Sequence, residues 1–520
     1  MPTVAQTARR LLSDLSLFSR LVLQLPLRSY QTEPLRAILN SILYRQGHEF
    51  LLIFPRQAGK NEAVTQLLVY LMNLYQRAGG TIIYGASGNG LGMAMDRLEQ
   101  RLENPWNAGL WSKRARPTRR ILGRASVTFL STHPSASARG QTAHLLLVID
   151  EAQDQVASHI EAVFTPMRAA YNATALYIGT VKLTSDFLWQ KKLQLEREQL
   201  QDGIQRVFLV TPDQVTAENP AYHDFLASQI RRYGRNHPII ASEYFLQPID
   251  GAGGLFPERR RVLMHGSHLR QSHPHPGETY VATLDLAGED EAATDPIAQL
   301  FRPGRDYTVA TLFRVVWPAP GSYAPGPTYE ALDVWVDHGS KQFQDYPGQP
   351  PLVQRLAAWL QHWNVSHLIA DESGVGLGVV SWLKAALGPH AVTGFNFAGP
   401  GRKAALGSMF LSLIETGRFH YWSGDEDTPG SDGWWFWQQV AACSYEIPPD
   451  GQFDRDLRWE VPASHRTDTP AGPQPTHDDR LLSAALIAEL DRMIRAGEVS
   501  IGSARSAVVP GTDPLSGLKF

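Results

Sequence analysis

The sequence has little cysteine: Cys443 is its single thiol in 520 residues. One cysteine excludes an intramolecular disulfide framework and a cysteine-based zinc site, and it favours a reducing compartment. No apolar run approaches the roughly 18 residues that a membrane-spanning helix needs. The first residues carry no apolar core before a cleavage site, so we expect neither a signal peptide nor a membrane partner.

The sequence also lacks an excess of either charge. It has 48 Lys and Arg against 51 Asp and Glu, a formal net charge of −3. Any binding to nucleic acid must therefore rest on local basic faces and not on bulk charge. The length and the 43% hydrophobic content predict a globular protein of two or more domains.

An apolar run, a turn and a helical pattern follow one another from Ile53 to Glu62, IFPRQAGKNE. This order predicts a phosphate loop, whose backbone N–H groups wrap nucleotide phosphates while a lysine adds a point charge. The common pattern is G-x-x-x-x-G-K-[ST], from which this stretch departs at its first and last positions, so a surface turn is the alternative for the stretch alone. The candidate nucleotide-binding residues here are Arg56, Gln57, Ala58, Gly59, Lys60, Asn61 and Glu62.

A second stretch, LLLVIDEAQD from Leu145 to Asp154, is a buried-strand pattern that ends in two carboxylates. We predict that Asp150 holds Mg²⁺, directly or through water, and that Glu151 orients the attacking water. Two matched parts arise together by chance less often than either alone, so the pair predicts an ATPase.

The loop variant PRQAGKNE, with Arg56 inside the loop and Asn61 after the lysine, resembles the large terminase subunits of tailed bacteriophages. These motors package DNA into procapsids. The resemblance covers roughly residues 25 to 495. It implies an α/β protein with an N-terminal P-loop (ASCE-type) ATPase domain, in which helices flank a parallel sheet, and a C-terminal RNase H-like α/β nuclease domain. The alternation of short apolar strands and helices also favours a parallel sheet.

The same resemblance assigns roles to further residues near the loop. Tyr30 would stack on adenine and Gln31 would pair with the base edge, although an ordinary helix start is the alternative. Arg139 would be an arginine finger that acts on a neighbouring subunit, and Arg56 is the competing candidate in cis. Thr180, at a strand tip, would sense the γ-phosphate and couple it onward, with a common turn as the alternative.

The densest basic run is KRARPTRR, residues 113 to 120. It either contacts DNA phosphates or forms a solvated loop.

Three aspartates occur in the order that the RNase H-like nuclease of terminases implies. Asp285 ends a strand with two antiparallel neighbours after it, Asp371 ends a second buried strand, and Asp479 begins a late helix. Asp478 competes with Asp479, and Asp295 is an optional extra ligand. Together they would hold two Mg²⁺ or Mn²⁺ ions about 4 Å apart through hard oxygen ligands. A lone Asp at a strand end is usually a cap or turn residue, so this prediction depends on the order of all three.

We predict four segments along the chain. They are an ATPase motor domain at 1–250, a Gly-, Pro- and His-rich linker at 251–277, the nuclease domain at 278–497 and a flexible tail at 498–520.

The resemblance implies that ATP hydrolysis drives double-stranded DNA into the procapsid and that the nuclease cuts concatemeric DNA at initiation and termination. The implied partners are the portal protein, the terminase small subunit and further copies in a ring, pentameric by resemblance. The implied location is the host cytoplasm, transiently at the portal vertex. The alternatives are an ATP-dependent helicase or remodeller with an RNase H-like accessory domain, and a nucleotide-switched scaffold in which the aspartates are structural.

Overall fold

The computed structural model describes residues 4–136, 138–287, 307–319, 321–322, 324–337, 342–344, 349–374, 376–448 and 451–501. Asp295 and positions 502–520 of the predicted tail lie outside these residues. The chain forms two compact units. Unit 1 runs to Ile230 and adds Pro238–Gly251, and unit 2 comprises Arg231–His237 and the chain from Ala252 onward. Among the described residues, no helix has both the length and the apolar character that crossing a bilayer requires.

An eight-stranded sheet forms the centre of unit 1. Its strands are β1 (Glu49–Ile53), β2 (Gly80–Ala86), β3 (Trp111–Arg114), β4 (Arg119–Leu122), β5 (Ala125–Ser131), β6 (Leu146–Ile149), β7 (Thr174–Gly179) and β8 (Val207–Leu209). They lie in the order β3-β4-β5-β2-β6-β7-β1-β8. Pairing is parallel from β5 to β8 and antiparallel only at the β3–β4–β5 edge. The central strands are buried on both faces, which is why they show as continuous apolar runs in the sequence.

Helices follow the strands of this part of the chain. They are α1 (Val4–Leu11), α2 (Leu15–Leu21), α3 (Ser29–Leu43), α4 (Lys60–Leu74), α5 (Gly88–Leu102), α6 (Ala157–His159), α7 (Phe187–Asp202), α8 (Pro212–Glu218), α9 (Pro220–Tyr233) and α10 (Pro238–Glu243). A π-helical turn (Ile160–Phe164) and two 3₁₀ segments (Ala152–Asp154, Thr165–Tyr171) complete the set. Helix α2 begins at Leu15 because Asp14 caps it, accepting a 2.7 Å hydrogen bond from the N–H of Leu17.

The basic run at 113–120 is not a loop throughout but the hairpin of β3 and β4. Two of its cations are paired within the chain. Lys113 donates to Glu99, and Arg120 Nε donates to the same carboxylate at 2.6 Å. Arg114 and Arg116 are exposed.

Unit 2 contains a seven-stranded sheet and two small ones. The strands are β9 (Ala252–Gly254), β10 (His265–Leu269), β11 (Tyr280–Asp285), β12 (Thr308–Val316), β13 (Thr328–Asp337), β14 (His367–Asp371), β15 (Val392–Phe395), β16 (Phe419–Ser423), β17 (Ser444–Glu446), β18 (Arg458–Glu460), β19 (Arg466–Thr469) and β20 (Gly472–Pro475). The large sheet has the order β10-β16-β13-β12-β11-β14-β15. Within it β12 is antiparallel to β11 and β13, as predicted, and the other pairs are parallel. With the parallel sheet of unit 1, this confirms the α/β fold class.

The helices of unit 2 are α11 (Glu258–Met264), α12 (Leu352–His362), α13 (Gly376–Leu387), α14 (Arg402–Glu415), α15 (Asp432–Ala442), α16 (Phe453–Asp456), α17 (Asp479–Ala485) and α18 (Ile487–Arg495). Helices α12 and α13 pack over the sheet through an apolar cluster that includes Leu284, Leu356 and Val380.

Residues 251–277, predicted as a linker, instead contain β9, α11 and β10, and β10 extends the large sheet beside β16. The apolar residues Leu255, Phe256 and Met264 are buried and anchor the segment. Arg260 Nε donates to Glu415 Oε1 at 2.7 Å, and the two side chains are only 6% and 2% exposed. The Gly- and Pro-rich composition was misleading because these few anchors decide the packing.

We expect Arg260→Met to lower the free energy of unfolding of unit 2 by about 3–5 kcal/mol, since it leaves Glu415 as an unpaired buried charge. The double variant Arg260→Met with Glu415→Leu should recover most of this loss. Chemical unfolding followed by tryptophan fluorescence measures it, with the exposed Arg259→Met as a matched control. A loss of the same size in the control would show that the ion pair is not the cause.

Candidate functional site

The predicted phosphate loop lies between the end of β1 and the start of α4. Gln57 and Gly59 have φ of +62° and +86°, so the chain turns through two left-handed positions before the helix begins. A left-handed conformation at a non-glycine residue such as Gln57 is strained, and such strain concentrates at functional sites. Helix α4 presents its N-terminal N–H groups at the loop, which is a favourable environment for an anion.

Lys60, Asp150 and Glu151 come together at the carboxyl edge of this sheet. Lys60 Nζ lies 3.4 Å from both carboxylate oxygens of Glu151. Asp150 accepts a 2.7 Å hydrogen bond from the Tyr84 hydroxyl and a 3.4 Å one from Asn61 Nδ2. The loop and the carboxylate strand, which are far apart in sequence, thus form one site.

The pKa values of the two carboxylates are shifted in opposite directions. Burial raises the pKa of Asp150, and Lys60 only partly offsets it. Burial also acts to raise the pKa of Glu151, but Lys60, Gln153 and Lys182 outweigh it, so the pKa of Glu151 falls below its usual value. Glu151 is therefore an anion at neutral pH, as a residue that polarises water requires.

Gln153 holds Glu151 in place and was not singled out from the sequence. Its Nε2 donates to Glu151 Oε2 at 2.6 Å, and its Oε1 accepts from the N–H of Thr180 at 3.1 Å. A Cβ at Gly179 would lie 2.2 Å from Gln153 Oε1, so this approach needs glycine. Thr180 also donates from Oγ1 to the Phe54 carbonyl at 3.4 Å. The tip of β7 therefore contacts the loop and, through Gln153, Glu151.

The two arginine candidates differ in their contacts. Arg56 Nη1 donates to both oxygens of Glu243, at 2.7 and 2.8 Å, and this carboxylate raises the pKa of Arg56. Arg139 is exposed and makes no hydrogen bond or ion pair with the residues that the structure describes. Arg56 is thus already paired, whereas Arg139 is available to an external group.

Tyr30 and Gln31 do not form an exposed base-binding surface. Both are buried. The Tyr30 hydroxyl donates to the Ala58 carbonyl at 3.0 Å, and Gln31 Nε2 donates to the Gly59 carbonyl at 3.2 Å. The ring of Tyr30 packs edge-on against Phe54. Both side chains thus support the loop from the inside, and the stacking of Tyr30 on adenine stays a prediction.

Glu62, predicted among the nucleotide-binding residues, pairs instead with Arg101 of α5. Arg101 donates from Nε at 2.8 Å and from Nη2 at 3.2 Å. This pair joins the first turn of α4 to its neighbouring helix.

In unit 2, the three predicted aspartates converge on one edge of the large sheet. Asp285 and Asp371 end the adjacent parallel strands β11 and β14, whose register sets them side by side. Asp479 begins α17, which packs on β11 through Ser483, whose Oγ donates to the Thr283 carbonyl at 3.4 Å. Strand ends and a helix start thus bring distant carboxylates together.

Burial and the charges of neighbouring carboxylates both affect the pKa of Asp285. Burial, followed by Asp479, Asp371 and Asp478, raises the pKa of Asp285 well above its usual value, while Lys403 opposes the rise. Burial also raises the pKa of Asp371. A divalent cation would relieve this repulsion.

The donor set fits a hard cation, because it offers carboxylate oxygen alone and no thiolate. In the part of the chain that the structure describes, no three His, Cys, Asp or Glu side chains are grouped closely enough to ligate a metal ion. The carboxylates therefore converge without forming a closed ligand shell, and metal binding would require their side chains to move together.

Asp478 and Asp479 have different surroundings. Asp479 is buried and accepts from the N–H of Tyr307 at 2.9 Å. Asp478 is more exposed and lies 3.6 Å from Lys403 Nζ. Of the two, Asp479 raises the pKa of Asp285 more.

Helix α15, which the sequence analysis missed, holds the first turn of α17. Gln439 Oε1 accepts from the N–H of Leu481 at 3.0 Å. Arg480 Nη2 donates to Asp432 Oδ1 at 2.8 Å, and Arg270 Nη1 donates to the other oxygen of Asp432 at 3.0 Å. These contacts fix the direction in which α17 presents Asp479.

No protein-family profile and no curated protein matches this sequence. Solved large terminases of bacteriophages resemble its structure. A large terminase from a thermophilic bacteriophage is 10% identical with a TM-score of 0.42, over 89% of this chain and 99% of that chain. The HK97 bacteriophage large terminase is 12% identical with a TM-score of 0.38, over 93% and 99%. The large terminase nuclease from thermophilic phage G20c, with bound magnesium, is 15% identical with a TM-score of 0.30, over 45% and 96%.

We expect Asp285→Asn to stabilise the protein at neutral pH without metal. A carboxyl whose pKa is higher in the folded state than in the unfolded state binds more protons when the protein is folded. Its ionisation therefore lowers the free energy of unfolding as the pH rises from the unfolded pKa, near 4, through the folded pKa. The gain should be on the order of 1.4 kcal/mol for each pKa unit of the shift, and it should vanish near pH 4.

Unfolding of parent and variant in EDTA between pH 4 and 8 measures this difference. The exposed Asp468→Asn is the matched control in the same unit. A gain that is equal at pH 4 and pH 7 would exclude charge repulsion as its origin.

Proposed function

We propose that this chain is a viral DNA-packaging motor of the large-terminase type. Unit 1 would be the motor domain, in which ATP hydrolysis drives double-stranded DNA into a procapsid. Unit 2 would be the nuclease domain, which cuts concatemeric DNA at initiation and termination. The proposal rests on the presence of two sites in one chain. The predicted phosphate loop with its paired carboxylates lies in unit 1, and a convergent set of buried aspartates lies in unit 2.

In unit 1 the nucleotide phosphates would bind at the loop and the N-terminus of α4. Lys60 would leave Glu151 and contact the β- and γ-phosphates. Asp150 and Asn61 would face Mg²⁺, and Asn61 Oδ1 suits this role because it is buried and lacks a hydrogen-bond partner among the described residues. Magnesium bound here would neutralise charge on the phosphates.

Glu151 would orient the attacking water, and Gln153 would keep its carboxylate in position. Because Gln153 also binds the N–H of Thr180, a change at the loop that moves Thr180 would move Glu151 as well. This supports the coupling role proposed for Thr180. Arg139 is the better candidate for an arginine finger in trans, since Arg56 is held by Glu243.

In unit 2, Asp285, Asp371 and Asp479 would hold two Mg²⁺ or Mn²⁺ ions, with Asp285 as the shared ligand. The ions would supply an activated water and stabilise the leaving 3′ oxygen. The protein's part is to orient the carboxylates. The N–H groups of Tyr307 and Ser373 do so for Asp479 and Asp371.

A trans-acting Arg139 requires neighbouring copies of the chain. We therefore extend the proposal to a ring, pentameric as in the family that the loop resembles, docked on the portal protein of the procapsid and supplied with DNA by a small subunit. The chain would act in the host cytoplasm and transiently at the portal vertex.

The open spacing of the aspartates favours one alternative, a nucleotide-switched scaffold in which they are structural. A plasmid-cleavage assay with Mg²⁺ or Mn²⁺, run alongside ATP turnover, decides between them. Metal-dependent cleavage supports the motor, whereas its absence with intact ATPase activity supports the scaffold. Strand separation on forked DNA would instead indicate a helicase.

We expect Gln153→Glu to reduce ATP turnover by on the order of 10²-fold, because the new carboxylate repels Glu151 and a misplaced catalytic group costs about this much. ATP affinity should stay near the parent value, since the hydrogen bonds of Gln153 go to Glu151, Asp154 and Thr180 and not to the predicted phosphate loop. Glu151→Gln should likewise bind ATP without turnover, and Lys60→Ala should lose both. Turnover and equilibrium binding of a fluorescent ATP analogue measure these effects. Parent-like turnover in Glu151→Gln would remove the ATPase assignment.

Asp285→Ala should reduce the rate of DNA cleavage by at least about 10³-fold, because it removes the shared ligand of the proposed metal pair. The rate of ATP turnover should stay near that of the parent. The matched control is Asp468→Ala, which removes an exposed carboxylate of the same unit. Plasmid nicking with Mn²⁺ measures cleavage. If Asp285→Ala still cuts at the parent rate, the nuclease assignment is lost.

A further inference from the structure

Beside the carboxylates of unit 2 lies a cavity of about 470 Å³. It is bounded by the start of α14, the end of β18, the β19–β20 hairpin and the start of α17. The charged and polar residues that line it are Lys403, Glu460, Arg466, Thr476, His477 and Asp478. The cavity thus reaches the proposed metal edge at Asp478, which precedes the proposed ligand Asp479 in the sequence.

Lys403 stands at the boundary between this cavity and the carboxylates. Its Nζ is 3.6 Å from Asp478 Oδ2, and its side chain is 33% exposed. The Trp459 indole N–H donates to the Lys403 carbonyl at 2.8 Å, and the ammonium lies 5.4 Å from the centre of that ring. The backbone of Lys403 is therefore fixed, while its flexible four-carbon side chain lets the ammonium reach more than one anion.

The Lys403 ammonium acts to lower the pKa of Asp285, against burial and the charges of the neighbouring aspartates. Divalent ions bound at Asp285, Asp371 and Asp479 would neutralise these charges and repel Lys403. The ammonium would then need another anion within reach, and the cavity is the space on its open side. A phosphodiester there would be close to the proposed metal pair, as the strand being cut must be.

We propose that this cavity receives a phosphodiester of the DNA strand being cut, and that Lys403 binds it with help from Arg466. The inference rests on the nuclease function proposed above. Arg466 Nη1 donates to the Ala463 and His465 carbonyls, which fixes its guanidinium while leaving other N–H groups for a phosphate. Two carboxylates also line the cavity: Asp478 is paired with Lys403, and Glu460 is exposed, so solvent screens its repulsion of a phosphate.

The first test measures binding of a short DNA duplex to the full chain by fluorescence anisotropy, with Ca²⁺ present so that binding is read apart from turnover. Lys403→Met should weaken binding by about 5- to 10-fold and reduce the slope of log Kd against log salt by about 1, as expected for the loss of one phosphate contact. Lys403→Arg should restore most of both. Lys384→Met, a matched charge loss on α13 away from the cavity, should change neither.

The second test measures Mn²⁺ binding without DNA by electron paramagnetic resonance. Lys403→Met should bind Mn²⁺ more tightly, by about 2- to 5-fold, because a competing positive charge has been removed. A lysine that merely orients Asp478 would give the opposite result, since its loss would disorder a ligand and weaken Mn²⁺ binding. The two tests together therefore separate a phosphate contact from a structural role.

Parent-like duplex affinity and salt slope in Lys403→Met would overturn the inference, and so would weaker Mn²⁺ binding. A parent-like unfolding transition, followed by tryptophan fluorescence, shows that unit 2 of the variant is folded. If Asp285→Ala also cuts DNA normally, the nuclease proposal itself has failed. If Asp285→Ala is inactive while Lys403→Met behaves as the parent, only the role of Lys403 is wrong.

Discussion

Buried carboxylates at the ends of parallel strands, with one lysine that offsets their charge at each site, are the constraint on which both sites depend. In unit 1, Lys60 offsets the charge of Asp150 and Glu151. In unit 2, Lys403 offsets that of Asp285. Desolvation makes an uncompensated carboxylate costly, so each site needs a cation before any ligand arrives. Such a site favours a metal ion or a phosphate. A metal ion can replace the lysine beside the carboxylates, and a phosphate can replace the carboxylates beside the lysine.

The geometry follows from the sheets. In both units, neighbouring parallel strands end at one edge, and the loops that leave them place polar groups there. The predicted phosphate loop follows β1 and the paired carboxylates follow β6, with β7 and Thr180 between them. In unit 2, β11 and β14 are adjacent and α17 closes the edge. One kind of strand arrangement thus carries two different sets of side chains, and these side chains decide which ligand each edge suits.

Much of the fold was readable because central strands are buried on both faces and appear as short apolar runs. The buried strand predicted from Leu145 is β6, and the strands predicted to end at Asp285 and Asp371 are β11 and β14. The linker at 251–277 was not, because Leu255, Phe256 and Met264 are too few to outweigh its glycines, prolines and histidines. Helix α15 and strand β16 were also missed. The contact of the Tyr30 hydroxyl with the Ala58 carbonyl was not predicted, since a motif shows residue types but not which way a ring faces.

By itself, the sequence determined the residue types at both sites, their order along the chain and the α/β class. These follow from local patterns: a turn with Gly59 before Lys60, carboxylates after apolar runs, and alternating strands and helices. Only the tertiary structure decided which groups meet. It paired Arg56 with Glu243, joined Gln153 to Thr180, set Lys403 beside Asp478 and left the aspartates convergent but open. Such contacts join residues far apart in sequence, and their partners depend on strand order and register, which no local pattern encodes.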